Sequence, residues 1–333
     1  MSLDAYRAER GGKTYRDLSK PSVRARTPTV EIYRFPKISS PHYATVKDRT
    51  RNSGLTSVTF LGRDRFVCCD FNEKRAYFAE AKRGELRIID SHPTVVSGGD
   101  AVQTDLIDSR DNEFVVSNFY QGSASCYRIN QNKIEFLGEV NHNRYTNLHG
   151  VRYVPNQPSL LWMCFCGKGN KCHQLVDRET GCVVHHFNTN QQCQDVAFSG
   201  RFAVVFARTN HVAQGELQAT RRASKEMFAT AYIYALGENL YRERPKLISV
   251  WHGEGHIDGV KTSDDGRIYA ANQYLDRVDV FDLSSEGQLS LSEIIPVEGM
   301  PHGLDIAGGK VAVTCYEEST LMIFPELVMS ESH

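Results

Sequence analysis

Two histidines and two aspartates recur at a single phase of a repeated phrase, and this is where chemistry would sit. The copies read Leu55-Thr56-Ser57-Val58, Gly99-Asp100-Ala101-Val102, Leu148-His149-Gly150-Val151, Gln194-Asp195-Val196, Ile257-Asp258-Gly259-Val260 and Pro301-His302-Gly303-Leu304. They stand roughly 45 residues apart, with one longer interval between the fourth and fifth. Brought together, His149, Asp258 and His302 would form a ligand set for a divalent cation, with Asp100 as a further acid or base. Carboxylates and amides suit Ca²⁺ or Mn²⁺, whereas neutral imidazoles favour Zn²⁺ or Fe²⁺. A mixture of two His with Asp fits the second group and leaves positions open for water or substrate. The competing reading is a polar channel in which these groups bond to one another and to water.

The elements that must position these residues follow from the repeat. A period in this range, with strand-like content in each copy, marks a propeller of four-stranded blades. Two copies align without a gap: Thr56 to Glu80 (TSVTFLGRDRFVCCDFNEKRAYFAE) and Asp258 to Asp282 (DGVKTSDDGRIYAANQYLDRVDVFD). Each reads as strand, polar turn, alternating strand, turn and strand, with Gly62-Arg63-Asp64 and Asp264-Asp265-Gly266 suited to tight reversals. Phe114 to Asn118 and Val311 to Cys315 are the same second strand in other copies. The last copy has only three strands, and an orphan strand stands near the start at Thr29 to Phe35. Pairing it beside Leu321 to Phe324 closes the ring and leaves no bare edge. The expected fold is therefore all-β, a six-bladed propeller spanning residues 28–327. It is flanked by an N-terminal arm (1–27) and a short tail (328–333).

In a blade the first strand lines the channel and the second runs antiparallel to it. The start of the first and the end of the second therefore share one face. Thr56, Asp100, His149, Gln194, Asp258 and His302 are expected to ring one channel mouth, with Gln194 on the substrate. Asp70, Asn118, Asn272 and Cys315 should lie just outside, the first three as substrate-binding groups. Converging so many polar groups on one axis costs free energy unless something binds there. His256, two residues before Asp258, is a possible further ligand that strand alternation cannot place. The long interval holds an insertion, Thr209 to Ala229, with a candidate helix from Gly215 to Phe228. It emerges on the ring face, where it could act as a lid carrying Arg221, Arg222 or Lys225 to an anionic substrate.

Composition narrows the classes. Net charge is −1, so no global field recruits nucleic acid. No apolar run is long enough to span a membrane, and Met1 to Arg7 lacks the apolar core of a secretory signal. With nine cysteines, an odd number, reduced thiols in a cytoplasm are the expected state. Cys164, Cys166, Cys172 and His173 resemble a zinc cluster by count, but the spacing is that of a hairpin. No P-loop, dinucleotide fingerprint or G-x-S-x-G elbow is present.

Ile257-Asp258-Gly259-Val260, followed by Asp265-Gly266-Arg267-Ile268-Tyr269, resembles the P-D-G-[LM]…D-G-x-[LI]-[YW] pattern of the SMP-30/gluconolactonase family. That family belongs to a wider group of six-bladed propellers that includes NHL-repeat proteins. The resemblance implies that Asp258 is a metal ligand at the channel mouth. Two departures stand against it: Thr56 occupies the position of the family's first-blade Glu, and His149 and His302 are atypical. Those histidines are more like the zinc-binding channel histidines of peptidyl-hydroxyglycine amidating lyases. The function expected is a metal-assisted hydrolase, lyase or isomerase acting on a small, lactone-like oxygenated metabolite. The alternative is a non-catalytic propeller that presents its rim to partner proteins.

Overall fold

The computed structural model describes residues 24–25, 30–34, 54–82, 84–140, 145–167, 170–209, 228–297, 299–316 and 319–326. Among these residues the secondary structure is almost entirely strand, with one 3-10 turn at Gln273–Leu275 and no α-helix. The strands form six sheets, each built on four antiparallel strands and one carrying a fifth, so the chain is an all-β, six-bladed propeller. The innermost strands of blades 1 to 6 are Leu55–Phe60, Thr104–Arg110, Leu148–Tyr153, Gln192–Ser199, Ile257–Thr262 and Pro301–Ala307. Each packs on the next around the axis, and the sixth packs on the first.

Closure is made by the two ends of the chain. Glu31–Arg34 pairs antiparallel with Thr320–Pro325, with Glu31 opposite Ile323 and Tyr33 opposite Leu321. Blade 6 thus takes its fourth strand from the N-terminal region, and Tyr33 is buried in the cluster of Leu55, Phe66 and Leu321 that joins blades 6 and 1. Such a closure makes the first and last blades one unit, removing two sheet edges. Within the stretch expected to be an arm, Arg24–Ala25 adds a short parallel strand to blade 5, opposite Glu293 and Ile294.

The middle strands are the most apolar because each has a neighbouring blade on both faces. Leu160–Gly167 is buried along its whole length, and Phe66, Trp162, Phe206 and Phe281 are fully buried between blades. The outermost strands face water on one side and alternate instead, as in Glu85–Pro93. This stack of inter-blade cores fixes the innermost strands, and through them everything in the channel.

Candidate active site

All six innermost strands break register with their neighbour at the same place. The partners run from Leu55–Asp70 to Ser57–Cys69 in blade 1 and from Leu148–Phe165 to Gly150–Cys164 in blade 3. The same single-residue slip follows Thr104, Cys193, Ile257 and Pro301 in the other four. A bulge of this kind re-aims a side chain. The residues it releases are Thr56, Asp105, His149, Gln194, Asp258 and His302, one per blade. The second blade departs from expectation: Asp100 is exposed, in a turn where the Val96 amide donates to its carbonyl. The ring position there belongs to Asp105, five residues later. The phrase Gly99-Asp100-Ala101-Val102 imitates the repeat but precedes the strand.

The residue after the ring position is glycine in three blades, for a packing reason. A Cβ at Gly150 would lie 2.4 Å from the Gln194 carbonyl oxygen, one at Gly259 2.6 Å from that of His302, and one at Gly303 2.5 Å from that of Thr56. Blades therefore approach backbone to backbone here. The contact also orients the imidazoles. His149 Nδ1 is 3.1 Å from the Gln194 carbonyl oxygen and His302 Nδ1 is 2.9 Å from that of Thr56. A carbonyl only accepts, so Nδ1 carries the proton in both rings and Nε2 points to the channel.

There the two rings stack, with centroids 5.5 Å apart. His149 Nε2 lies 3.4 Å from Asp105 Oδ2 and 3.2 Å from Asp258 Oδ1. His302 Nε2 lies 3.3 Å from Asp105 Oδ1 and 3.9 Å from Asp258 Oδ2. Donor atoms of Asp105, His149 and His302 all fall within 4.8 Å of one another. Asp258 flanks this trio, and its Oδ1 is also 2.8 Å from His256 Nε2. All five are buried, and neither Asp258 oxygen meets a well-aligned hydrogen-bond donor among the described residues.

Neutral imidazoles would here aim two lone pairs at two carboxylates, which is repulsive. The cluster requires positive charge between its members. Protons can supply it. Burial alone would lower the His149 pKa, but the Asp105 and Asp258 charges outweigh it and raise it above the ordinary value. Burial raises Asp105, whereas Asp258 is held well below the usual carboxylate range because the His256 and His302 rings outweigh burial. Burial pushes His256 down to about 4, so it is neutral at pH 7. A divalent cation supplies the charge as well, and two fixed imidazoles with a carboxylate are a fitting donor set for one.

Beneath lies a second polar layer, three residues further along each innermost strand. It comprises Thr59, Asp108, Arg152, Ala197, Lys261 and Asp305. The interval is three because the bulge shifts the two-residue alternation by one. Arg152 Nε is 3.0 Å from Asp195 Oδ1, and its amino groups donate to the Ile107 and Val260 carbonyls. Lys261 bridges Asp108 at 2.6 Å and Asp305 at 3.1 Å. Asp305 also accepts from the Phe60 amide and Asp108 from that of Tyr153. This network ties all blades together under the ring.

The other described candidates are bonded to the protein. Thr56 spends its hydroxyl on the Cys69 and Thr104 carbonyls. Gln194 is fully buried, its amide nitrogen donating to the Gln192 carbonyl. Asn118 donates to Ser123 and Ser125, Asn272 donates to Asp279 and accepts from the His256 amide, and Asp70 accepts from the Glu73 amide. Buried and bonded within their own turns, these three brace the rim rather than face a ligand. Asn272 does so usefully, since it holds the backbone of His256. Arg221, Arg222 and Lys225 lie outside the described residues, as does most of the candidate helix. Phe228 belongs to the strand Phe228–Ala235, so the insertion leaves and returns on the ring face between Thr209 and Phe228.

Two site residues escaped the sequence reading. Asp105 was hidden because Gly99-Asp100-Ala101-Val102, five residues earlier, imitates the repeat. Arg208, at the end of a second strand, donates to Gln192 and sits 2.9 Å from His256 Nε2. Only the phase of the second strands could have pointed to it.

No family model matches this chain, and no curated protein does. Solved structures do. The chain is similar to Kuenenia stuttgartiensis hydrazine synthase (TM-score 0.59, 12% identity, 88% of this chain and 100% of that one). It is also similar to XC5397, a gluconolactonase from Xanthomonas campestris (0.52, 13%, 82% and 86%). A third is virginiamycin B lyase from Staphylococcus aureus (0.52, 9%, 90% and 100%). At these identities the likeness is one of fold, and the resemblance to the gluconolactonase group of propellers holds at that level.

Proposed function

We propose that this protein opens a lactone-like ester of a small oxygenated metabolite at the channel mouth, with a divalent cation held by Asp105, His149 and His302. The observation that carries the reading is the pair of imidazoles whose Nδ1–H groups are fixed on backbone carbonyls while both Nε2 atoms face buried carboxylates. An interaction scaffold would have no use for that arrangement inside its mouth. That a gluconolactonase and a lyase share the fold supports ring-opening chemistry here without fixing the substrate. When bound, the cation would polarise the ester carbonyl as a Lewis acid.

The chain's own residues supply the rest. Asp258 stays ionised through the neutral range and is aimed at the cluster, so it accepts the proton of the attacking water. The water oxygen bonds to the carbonyl carbon, the ring C–O bond breaks, and the proton passes to the departing ring oxygen. The products are a hydroxy acid in its carboxylate form and the proton it releases. His256, itself held by Arg208, meets Asp258 Oδ1 and keeps it in place, which is a positioning role. The backbone carbonyls of Thr56 and Gln194 fix the imidazole orientation, as outer partners of ligating histidines do.

The test is metal content and turnover measured side by side on protein purified without a polyhistidine tag. Incubation with Zn²⁺, Fe²⁺, Mn²⁺ and Ca²⁺ should leave one ion bound per chain, and hydrolysis of simple lactones should follow that occupancy. Protein that takes up none of the four ions defeats the metal-assisted reading. Protein that binds a cation yet opens no lactone defeats the substrate assignment alone.

A further inference from the structure

We propose that the preferred lactone carries a flat aryl ring, which stacks on an aromatic arc built into the rim above the His/Asp cluster. This rests on the lactone-opening reading and names its substrate class. The arc comes from the turns that follow the second strands. Asp70 is followed by Phe71, Asn118 by Phe119 and Tyr120, and Cys315 by Tyr316, while Tyr274 stands two residues beyond Asn272. Blades 5, 6, 1 and 2 are consecutive around the ring, so these residues occupy one side of the mouth.

Their rings run into the catalytic imidazoles without a break. Tyr316 stacks on His302 at 5.7 Å and 28°, and His302 stacks on His149 at 5.5 Å and 27°. Phe119 meets His149 edge-on at 6.3 Å, Tyr120 at 5.0 Å and Phe71 at 5.9 Å. Tyr274 lies 5.1 Å from the ring of His256, which is paired with Asp258. The imidazoles are buried, yet Phe71, Phe119, Tyr274 and Tyr316 are partly exposed and Tyr120 is 53% exposed. The wall therefore grades from dry at its foot to wet at its lip. A ligand that lays a ring on the lip can lower its carbonyl to the cluster.

The same turns show why the body should be aryl rather than a polyhydroxylated sugar. Recognition of a sugar needs hydrogen-bonding side chains at the rim. The three candidates, Asp70, Asn118 and Asn272, are buried and bonded within their own blades. Apart from Asn72 and the Tyr120, Tyr274 and Tyr316 hydroxyls, the turns present mainly π-surface, which attracts other aromatic groups edge-on or offset at centroid distances of 4.5–7 Å. The carboxylates of Asp105 and Asp258 beneath disfavour an anionic body such as a phosphorylated one.

The arc has a bland alternative, that the aromatic residues merely orient the histidines. Tyr120 and Phe71 separate the two readings, because both touch Phe119 and, among the described residues, neither makes a ring contact with His149, His256 or His302. The probes are dihydrocoumarin, an aryl-fused lactone, and δ-valerolactone, its aliphatic counterpart. Wild-type protein should bind dihydrocoumarin in saturation-transfer NMR and turn it over with the lower KM. Tyr120→Ala and Phe71→Ala should raise that KM roughly three- to tenfold, as loss of a stacking partner does. Their kcat, bound metal and KM for δ-valerolactone should stay within twofold. Equal changes for both lactones, unchanged KM for both, or wild-type protein with no dihydrocoumarin signal would overturn the arc. Failure of the lactonase reading looks different: dihydrocoumarin would bind in a Tyr120-dependent way while neither lactone was hydrolysed.

Discussion

Replacing Arg152 by Met removes the cation at the centre of the lower layer and exposes what holds the channel together. Arg152 is 3% exposed and engages Asp195 through both Nε and an amino group, while Asp195 is 0% exposed. Met fills most of the volume, so the dominant loss is electrostatic. Asp195 keeps one donor, the Val260 amide at 2.9 Å, and the Ile107 and Val260 carbonyls each lose theirs. Removing one partner of a buried ion pair costs about 3–5 kcal/mol, because an uncompensated charge stays behind. At roughly 2 °C per kcal/mol for a chain this long, Tm should fall by about 6–10 °C. The effect should reach the site as well. Gln194, whose carbonyl holds His149, precedes Asp195, so Arg152→Met should also weaken cation binding. Adding Asp195→Asn removes the stranded charge and should restore at least about 2 kcal/mol, a coupling that calorimetry or denaturant melts of the four proteins can measure. A single variant within 2 °C of wild type, or a double variant no more stable than the single, would refute the account of the network.

Asp105→Ala, His149→Ala and His302→Ala should each remove most of the bound cation by elemental analysis, whereas Asp100→Ala should leave it; loss on altering Asp100 would contradict the ring assignment. Gly303→Ala should cost more than 2 kcal/mol and weaken cation binding, since its Cβ would sit 2.5 Å from the carbonyl that orients His302. Gly98→Ala, with nothing within 4 Å of the added Cβ, should change neither. Lys261→Met should destabilise by a few kcal/mol at pH 7 and less near pH 4, as judged from melts across pH. In the wild type, burial works against both charges, but pairing lowers Asp108 below 3.8 and raises Lys261 above 10.5. Its contribution is thus present between those values, lost in stronger acid as Asp108 protonates and in stronger base as Lys261 deprotonates. Without Lys261 the Asp108 carboxylate loses the charge that holds its pKa down and becomes easier to protonate, so acid narrows the gap; a gap that widens toward pH 4 would count against this pairing.

The fold was legible because each blade repeats two signals that do not depend on the rest of the chain: an alternating second strand and a tight polar turn. Closure was legible because three strands in the final copy leave an edge that must be covered, and Glu31–Arg34 was the spare strand. The ring was legible in five of six blades through a polar residue at one phase of the repeat, followed by glycine in three of them. It failed in the second blade, where the copy with the better-looking phrase lies in a turn and the true strand reads Thr104-Asp105-Leu106-Ile107. The lower layer was invisible for a related reason. Strict alternation places every second residue in the channel, and a one-residue bulge shifts Asp108, Arg152, Lys261 and Asp305 into phase only after the ring position. The rim erred in the opposite direction: Asp70, Asn118 and Asn272 stand where expected, but sequence position says nothing of the hydrogen bonds that consume them.

The bulge therefore does more than turn one side chain inward; it separates two electrostatic tasks along one axis. Below it, Arg152 and Lys261 face Asp108, Asp195 and Asp305 at hydrogen-bonding distance, so this layer is nearly balanced and holds the blades in register. Above it, Asp105 and Asp258 face imidazoles: those of His149 and His302 commit Nδ1 to the backbone, and that of His256 meets Asp258 at 2.8 Å. Arg208, the nearest guanidinium, is engaged with Gln192 and His256. The lower layer has its cations built in. The upper layer lacks a built-in cation and is placed where the channel opens to a rim of aromatic residues. Charge balance there is met either by a proton on the imidazoles, which the raised His149 pKa favours, or by a cation from solution as proposed. The backbone contacts at Gly150 and Gly303 keep the two imidazoles from turning away to relieve the repulsion.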